Sequence, residues 1–429
     1  MKYTAQAEKL NEILILKDSQ IFDMLSERGK SFYFPKEGII KQTEEANGKS
    51  INATVGVALD ENKSTYILKS MSESISDSLT NDSFSYAPSG GLKELRNHWK
   101  QQIGMKNPSL KGNLGFPIVT SGLTHALSIV GSLFLDKEDT IIMPDFFWGN
   151  YKLMFETNFS SKISTFNMFD GLSFNLEGFK EAILNTESNK VVLLLNFPNN
   201  PTGYSPSVHE ILEMKEILLK LADSGRNIIV MIDDAYFGLF YEKDTCKESV
   251  FAYLNDIHKN ILPIKIDGIS KEDYAWGLRV GFITFGGKIA SESIDVLEQK
   301  TLGIIRSNIS NTNRIAQEML MKTYKNPKYP EEKKEHFNLL KSRYEKVKEV
   351  LENSRYSAFF TSFPFNSGYF MSIRLKGGNA EKIRKILLER YDTGVISIGN
   401  DVLRIAFSSV PLESIKKLFD NIYEACQEY

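Results

Sequence analysis

The residue whose type and setting could do the most chemistry is Lys271. It closes the stretch Asp267-Gly268-Ile269-Ser270-Lys271 behind the apolar run LPIKI, and Arg279 stands eight residues further on, opening the next run. Three other apolar runs also end in reactive or polar groups. VVLLLN leads into Asn196-Phe197-Pro198-Asn199-Asn200-Pro201-Thr202-Gly203, whose prolines and glycine define a turn and present amide side chains. IIVMI ends in Asp233-Asp234-Ala235-Tyr236, a carboxylate at a strand end with a phenol three residues on. Val119-Thr120-Ser121-Gly122-Leu123-Thr124-His125-Ala126-Leu127 joins a strand to an apolar helix, and a helix N-terminus with small hydroxyl residues can hold an anion. Taken alone, each has an ordinary structural explanation: a surface lysine, a turn, a strand cap, a helix cap.

Together these ends supply an amine nucleophile, a carboxylate, a phenol, an amide, a guanidinium and a helix N-terminus. Pyridoxal 5'-phosphate (PLP) asks for that set. It needs a lysine for a covalent imine, a carboxylate to keep its pyridine nitrogen protonated, donors to its phenolate oxygen, and a phosphate cradle. PLP is therefore the expected cofactor, and no metal is expected.

The elements that must position these groups are legible as an alternation. From about Gly115 to Phe285 the short apolar runs FPIV, TIIM, VVLLLN, IIVMID, LPIKI and VGFITF are separated by longer helical patterns. Runs this short and apolar read as strands buried on both faces, so an α/β domain with a mainly parallel sheet flanked by helices is expected. In such sheets ligands sit where strands end. Ser205-Pro206, followed by Ser207 with Glu210 three residues on, predicts a capped helix start, and Asp223-Ser224-Gly225 its end.

Past Tyr324 the stretch YKNPKYPEEKK precedes an amphipathic helix with Phe337, Leu340, Tyr344, Val347 and Leu351 on one face. A boundary is expected there, giving a large domain over 61–323, a smaller α+β domain over 324–429 with strands GYFMSI and LRIAFS, and an N-terminal segment 1–60 packing with the small domain.

The 52 Lys and Arg against 54 Asp and Glu, without a long block of one sign, offer no surface for nucleic acid or anionic lipid. Cys246 and Cys426 are too few for a disulfide framework and lack metal-ligand spacing, which fits a reducing compartment. The start MKYTAQAEKLNEILILKDSQ has only short apolar stretches broken by charges, so neither signal peptide nor membrane span is expected. A cytoplasmic protein is the expectation.

With these motifs in this order, the sequence resembles the fold-type I, class I PLP-dependent aminotransferases, the aspartate aminotransferase group, over nearly its whole length. The resemblance implies roles residue by residue. Lys271, after Ser270, is similar to the family's Schiff-base lysine and Arg279 to its phosphate-binding arginine. Asp233 and Tyr236 resemble the pyridinium partner and the phenolate donor, with Asn200 as the second donor and a further contact to substrate. Ser121, Gly122, Leu123 and Thr124 resemble the phosphate loop, with backbone amides and the Thr124 hydroxyl as donors. Trp148, in Trp148-Gly149-Asn150-Tyr151-Lys152, resembles the aromatic that stacks on the cofactor ring. Tyr86 is similar to the tyrosine that reaches the phosphate of a neighbouring subunit, and a homodimer with shared active sites is thereby implied.

For substrate, Arg404 in Leu403-Arg404-Ile405-Ala406-Phe407 resembles the arginine that grips the α-carboxylate, where a planar fork pairs both oxygens. Asn52-Ala53-Thr54-Val55-Gly56 is similar to the loop closing over the substrate, with Gly56 at close approach. Arg306 and Ser310, in Arg306-Ser307-Asn308-Ile309-Ser310-Asn311, resemble the arginine donated across the dimer to a side-chain carboxylate and the serine reaching the partner's phosphate. Thr312-Asn313 stand where the family often has two prolines, and Gly268 replaces a common hydroxyl residue. The resemblance implies a ping-pong aminotransferase using a dicarboxylate in at least one half-reaction, while Phe146, Phe147 and Tyr151 leave room for an aromatic partner. The alternative is a PLP-dependent lyase or aminocyclopropane-carboxylate synthase-like enzyme on the same fold. A PLP-binding regulator would need a DNA-binding module. Only about fifty residues precede Asn52, with no helix-turn-helix pattern or basic excess.

Overall fold

The computed structural model describes residues 3–35, 38–78 and 80–429. Its centre is a seven-stranded sheet made of β1 (Ile118–Thr120), β2 (Thr140–Pro144), β3 (Lys162–Phe166), β4 (Lys190–Asn196), β5 (Asn227–Asp233), β6 (Ile261–Gly268) and β7 (Gly281–Phe285). The strand order is β1-β7-β6-β5-β4-β2-β3. Side chains alternate between faces along a strand, and the sequence uses both faces. Val192 and Leu194 of β4 enter one hydrophobic core, while Val191, Leu193 and Leu195 enter a second. Ile229 and Met231 of β5 divide from Ile228, Val230 and Ile232 in the same way. That division is why the strands read as unbroken apolar runs rather than as alternating ones.

The mainly parallel arrangement extends from β6 through β5, β4 and β2 to β3. β7, the VGFITF run, is antiparallel to both β6 and β1. β3 was not among the expected runs. It is an edge strand whose residues Lys162–Thr165 are exposed or half-buried, so KISTF carries little hydrophobic signal.

Among the flanking helices, α1 (Leu123–Phe134) follows β1 and α2 (Val208–Asp223) follows β4. Ser207 caps α2 as its sequence predicts. Its Oγ accepts from the Glu210 amide at 3.3 Å, and its own amide donates to Glu210 Oε2 at 2.7 Å. Gly225, at φ +94°, turns the chain beyond the helix.

Later come α3 (Arg314–Lys325), the 23-residue α4 (Tyr329–Leu351) and α5 (Ile415–Glu428). Leu340, Tyr344 and Val347 of α4 are buried, in one core with Leu418, Phe419 and Ile422 of α5. Phe337 and Leu351 pack partly buried against it. A second, antiparallel sheet has the order β8-β9-β11-β10, from β8 (Phe360–Ser362), β9 (Phe370–Leu375), β10 (Ile396–Ile398) and β11 (Val402–Ala406). β9 and β11 match the expected GYFMSI and LRIAFS, whereas β8 and β10, of three residues each, are too short to declare themselves. Ile51–Asn52 pairs in parallel with Thr393–Gly394, which brings an early segment to the late part of the chain. Among the described residues no helix is long and apolar enough to cross a membrane.

Candidate active site

The C-terminal ends of β4, β5 and β6 meet at one cavity of about 300 Å³, lined among others by Asn200, Asp233, Tyr236 and Lys271. Leu123, Thr124, Trp148, Gly56 and Arg404 line it too. Residues distant in sequence thus converge as the strand-end rule requires.

At β4 the turn is pinned from several sides. Asn196 Nδ2 donates to the Asp233 carbonyl at 2.8 Å, joining the ends of β4 and β5, and Asn196 Oδ1 accepts from the Asn200 amide at 2.9 Å. Thr202 Oγ1 donates to Asn199 Oδ1 at 2.7 Å. Gly203 packs so closely on β9 that a Cβ there would lie 1.9 Å from the Phe370 carbonyl oxygen. The Phe197–Pro198 peptide is cis.

Asp233 is buried, which raises its pKa, while the hydrogen bond from Tyr151 and the nearby Lys271 ammonium pull it back down. Tyr151 Oη donates to Asp233 Oδ2 at 2.5 Å from a fully buried ring. In sequence Tyr151 is one aromatic among several. Its hydroxyl is instead the side-chain donor to the carboxylate. Tyr236, also buried, is edge-on to Tyr369 and Phe370, with Asn200 beside its hydroxyl.

Lys271 lies on the short helix Ile269–Glu272 directly after β6. Burial lowers its pKa, Asp233 raises it and Arg279 lowers it again, so the net push is toward a neutral amine. Its ammonium nitrogen sits 5.0 Å from the Tyr236 ring centre.

The anion side of the site is built by close backbone approach. Gly122, at φ +81°, precedes α1, and a Cβ there would lie 2.4 Å from Nη2 of Arg279. Arg279 itself has φ +54°, unusual for a residue with a side chain, and its Nη1 donates to the Trp276 carbonyl at 3.2 Å. Gly268 leaves no room for the hydroxyl residue the family often has there. A Cβ would stand 2.7 Å from the Val280 carbonyl oxygen and 2.8 Å from Gly281 Cα. The Ser121 amide is spent on His125 Nδ1 at 3.1 Å, which departs from the expectation of a free amide at that position. Ser270 is buried and lies outside the cavity lining.

Arg404 enters from β11. Its Nη2 donates to the Thr54 carbonyl at 2.8 Å and its Nη1 to Asn200 Oδ1 at 3.4 Å, while its guanidinium lies 4.6 Å from the Phe370 ring centre. Burial brings its pKa down to about 10, and its Nε has no partner. Thr54, Ile39, Thr43, Trp276 and Phe370 also line the cavity. Of these, Ile39 and Thr43 come from a segment whose sequence carries no mark of chemistry, whereas Thr54 belongs to the expected loop from Asn52 to Gly56.

Ser121, Gly122, Ser270 and Arg279 do not line this cavity, and Tyr86, Arg306 and Ser310 do not reach it within the chain. Tyr86 is 85% exposed, and Arg306 Nη1 donates to Ser310 Oγ at 2.6 Å on the surface. Tyr86 shares one surface depression with Ile309, Asn311 and Thr312, the neighbours of Ser310. Phe146 also lies elsewhere, edge-on to Phe363 at 4.7 Å in a separate cavity, and Phe147 packs alongside Tyr151 at 6.4 Å. Of the three aromatics, Phe146 lies away from Lys271, whereas Tyr151 lines the same cavity as Lys271 and Phe147 packs against Tyr151. Among the described residues no cluster of His, Cys, Asp or Glu could hold a metal.

The donor set fits PLP. A buried carboxylate held by a tyrosine, a half-buried lysine of lowered pKa, two donors beside each other in Asn200 and Tyr236, and a guanidinium against a glycine at a helix start are the contacts its ring nitrogen, aldehyde, phenolate and phosphate ask for.

The family profile described as Aminotransferase class I and II matches residues 49–422. An aspartate aminotransferase of Bacillus subtilis (strain 168) is 29% identical over 268 residues, a match spanning 62% of this chain and 63% of that relative. One from Geobacillus stearothermophilus is 27% identical over 252 residues, 58% of each. The crystal structure of an aminotransferase from Anaerococcus prevotii superposes with a TM-score of 0.84 at 27% identity, covering 94% of this chain and 99% of that one.

Proposed function

The chain belongs to the class I and II aminotransferase family, and on that premise we propose that it moves an amino group between an L-amino acid and a 2-oxo acid with PLP as cofactor. The observation that carries the reading is the convergence of Lys271, Asp233 and Arg404 on one cavity. When bound, PLP supplies an aldehyde that joins amino groups covalently and a ring that takes up the electron pair left at the substrate Cα. The protein supplies the rest. Lys271 anchors the cofactor and, once freed, carries a proton from the substrate Cα through its Nζ. A neutral amine is needed for that, and burial favours it. Asp233 must stay ionised beside the ring nitrogen, Asn200 and Tyr236 donate to the phenolate, and Arg279 with the start of α1 holds the phosphate. Trp148 covers the ring. Arg404 fixes the α-carboxylate and so orients Cα toward Lys271.

We further assign the chain to a homodimer in which Tyr86 and Ser310 complete the partner's phosphate site and Arg306 meets a substrate side-chain carboxylate. The exposure of Tyr86 and the surface contact between Arg306 and Ser310, away from their own cavity, support that reading. For the division into 1–60, 61–323 and 324–429, the pairing of Ile51–Asn52 with Thr393–Gly394 supports grouping the first segment with the last, while the break between α3 and α4, at 326–328, lies a few residues past the expected second boundary. A dicarboxylate such as aspartate, glutamate or 2-oxoglutarate is then the substrate of at least one half-reaction.

Half-reaction spectroscopy tests this. Cofactor-loaded protein, mixed with each common amino acid and no oxo acid, is expected to pass to the amine form of the cofactor with glutamate or aspartate. Conversion by other amino acids but by neither of these removes the dicarboxylate assignment. Consumption of an amino acid without that spectral change indicates lyase chemistry instead.

The Tyr151 contact makes a separate prediction. A hydrogen bond to a charged group contributes about 1.5–3 kcal/mol, and a pKa unit corresponds to about 1.4 kcal/mol. The Tyr151 bond favours ionised Asp233, so removing it lets burial push the carboxyl higher. Tyr151→Phe is expected to move the acid limb of the kcat profile upward by about one pH unit or more, with activity lost sooner as pH falls. An unmoved acid limb would show that the phenol does not tune Asp233.

A further inference from the structure

The two residues directly after Lys271 are acidic and buried, and neither the cofactor set nor the substrate clamp uses them. Glu272 and Asp273 are 8% and 1% exposed. Asp273 Oδ2 accepts from Tyr324 Oη at 2.8 Å, and Oδ1 accepts from Tyr329 Oη at 2.7 Å with Lys333 Nζ at 3.0 Å. Glu272 pairs with Lys106 and, at 3.4 Å, with the same Lys333. Burial works against the Glu272 charge, yet Lys106 and Lys333 pull its pKa down to about 2. Two adjacent buried carboxylates are tolerated only when paired and hydrogen-bonded this fully.

The partners come from one place in the chain. Tyr324 lies in the last turn of α3, Tyr329 opens α4, and Lys333 is one turn further along it. The same helix carries Arg343, fully buried, whose Nη1 donates to the carbonyls of Leu59 at 2.7 Å and Ser408 at 2.5 Å. Those carbonyls belong to the loop after Gly56 and to the chain just past Arg404. At 1.5 Å per residue, the ten residues from Lys333 to Arg343 span about 15 Å. One rigid helix thus holds the lysine turn near its start and the substrate-carboxylate wall near its middle.

We infer that Asp273 is a positioning residue, tying the turn that carries Lys271 to the α3–α4 connection so that the amine is held at its reacting place. The inference rests on the reading of Lys271 as proton carrier. It goes beyond that reading because Asp273 touches neither cofactor nor substrate and acts through the two tyrosines and Lys333.

Three variants and two readouts test it. Tyr324→Phe with Tyr329→Phe keeps the Asp273–Lys333 pair and the ring packing, whereas Asp273→Asn removes the charge. In cofactor-loaded enzyme, both are expected to lower kcat by about 10- to 100-fold, the scale of a misplaced reacting group, with KM changed by less than about threefold. Lys333→Arg, which keeps a cation, is expected to retain most of the rate. In cofactor-free protein, the pH dependence of Lys271 acylation by acetic anhydride, read by mass spectrometry against surface lysines, reports the amine itself. Asp233, Arg279 and the Tyr236 ring face it in every variant. Asp273→Asn leaves Lys333 with only the more distant Glu272 as carboxylate partner and is expected to move the midpoint to lower pH. Wild-type kcat and an unmoved acylation profile in the double tyrosine variant would overturn the inference, as would a loss of rate in Asp273→Asn that merely follows loss of folded protein. If wild-type enzyme performs no transamination, the functional reading fails, while the acylation profiles still decide whether Asp273 places the amine.

Discussion

Lys271→Ala is expected to abolish the visible absorbance of the cofactor–lysine bond and to reduce kcat by at least ~10⁴-fold. That is the upper end of what a positioned acid–base group contributes, and the covalent anchor is lost with it. The size of the effect follows from there being one amine in the right place. The buried lysine of β6, Lys265, is paired with Asp234 and Asp267 and held charged, so it has no free electron pair to offer. Lys271 has burial and Arg279 working against its charge, with only Asp233 favouring it. Cofactor content measured by phosphate analysis separates the two losses. The variant is expected to retain bound PLP through Asp233, Arg279 and the phosphate loop while failing to turn over. Near-normal transamination by Lys271→Ala would remove the assignment of Lys271 and the mechanism built on it.

Why so much of this site could be found before the fold was known has a physical reason. A buried strand is an unbroken apolar run, so its end is visible in one dimension, and in an open α/β sheet the ends are where ligands sit. Asn200, Asp233 and Lys271 are each found by reading one to five residues past such a run. Tyr151 shows the limit. In sequence it stands in FFWGNYK, where aromatic character suggests packing. Only the fold brings its hydroxyl to Asp233 across 82 positions. Ile39 and Thr43 are harder still, because lining a cavity from an early helix leaves no trace in residue type.

The fold was legible to a similar depth. Central strands announce themselves, but the edge strand β3 and the three-residue β8 and β10 do not, since they bury too little. The antiparallel direction of β7 was hidden for a different reason. A run buried on both faces looks the same in either direction, and the connection from β6 through the Lys271 turn to β7 is only Ile269 to Val280. That is too short for a helical crossover of a dozen or more residues plus its turns, so the strand returns antiparallel. The connection that carries Lys271, Glu272, Asp273 and Arg279 thus also sets the direction of the strand after it.

Arg404 yields the second large prediction, from a charge that the protein itself leaves unbalanced. Its guanidinium is buried and bonded only to a carbonyl and an amide oxygen, and among the described residues no carboxylate lies within ion-pair distance of it. Burial accordingly draws its pKa down to about 10. A buried cation with neutral partners and an unpartnered Nε is an incomplete pair, and the α-carboxylate of an amino acid completes it with a bidentate fork. Disrupting one side of a buried charge pair costs about 2–5 kcal/mol, which at about 1.4 kcal/mol per decade is roughly 30- to 3,000-fold. Arg404→Lys keeps the charge but cannot present two parallel donors. It is therefore expected to lower kcat/KM by about 100-fold or more, through KM as well as kcat, because an unclamped Cα also drifts from Lys271. The resting cofactor spectrum should be unchanged, since Arg404 serves the substrate and not the ring. Wild-type kcat/KM in Arg404→Lys would mean that the carboxylate is held elsewhere, and a changed resting spectrum would move Arg404 from the substrate to the cofactor.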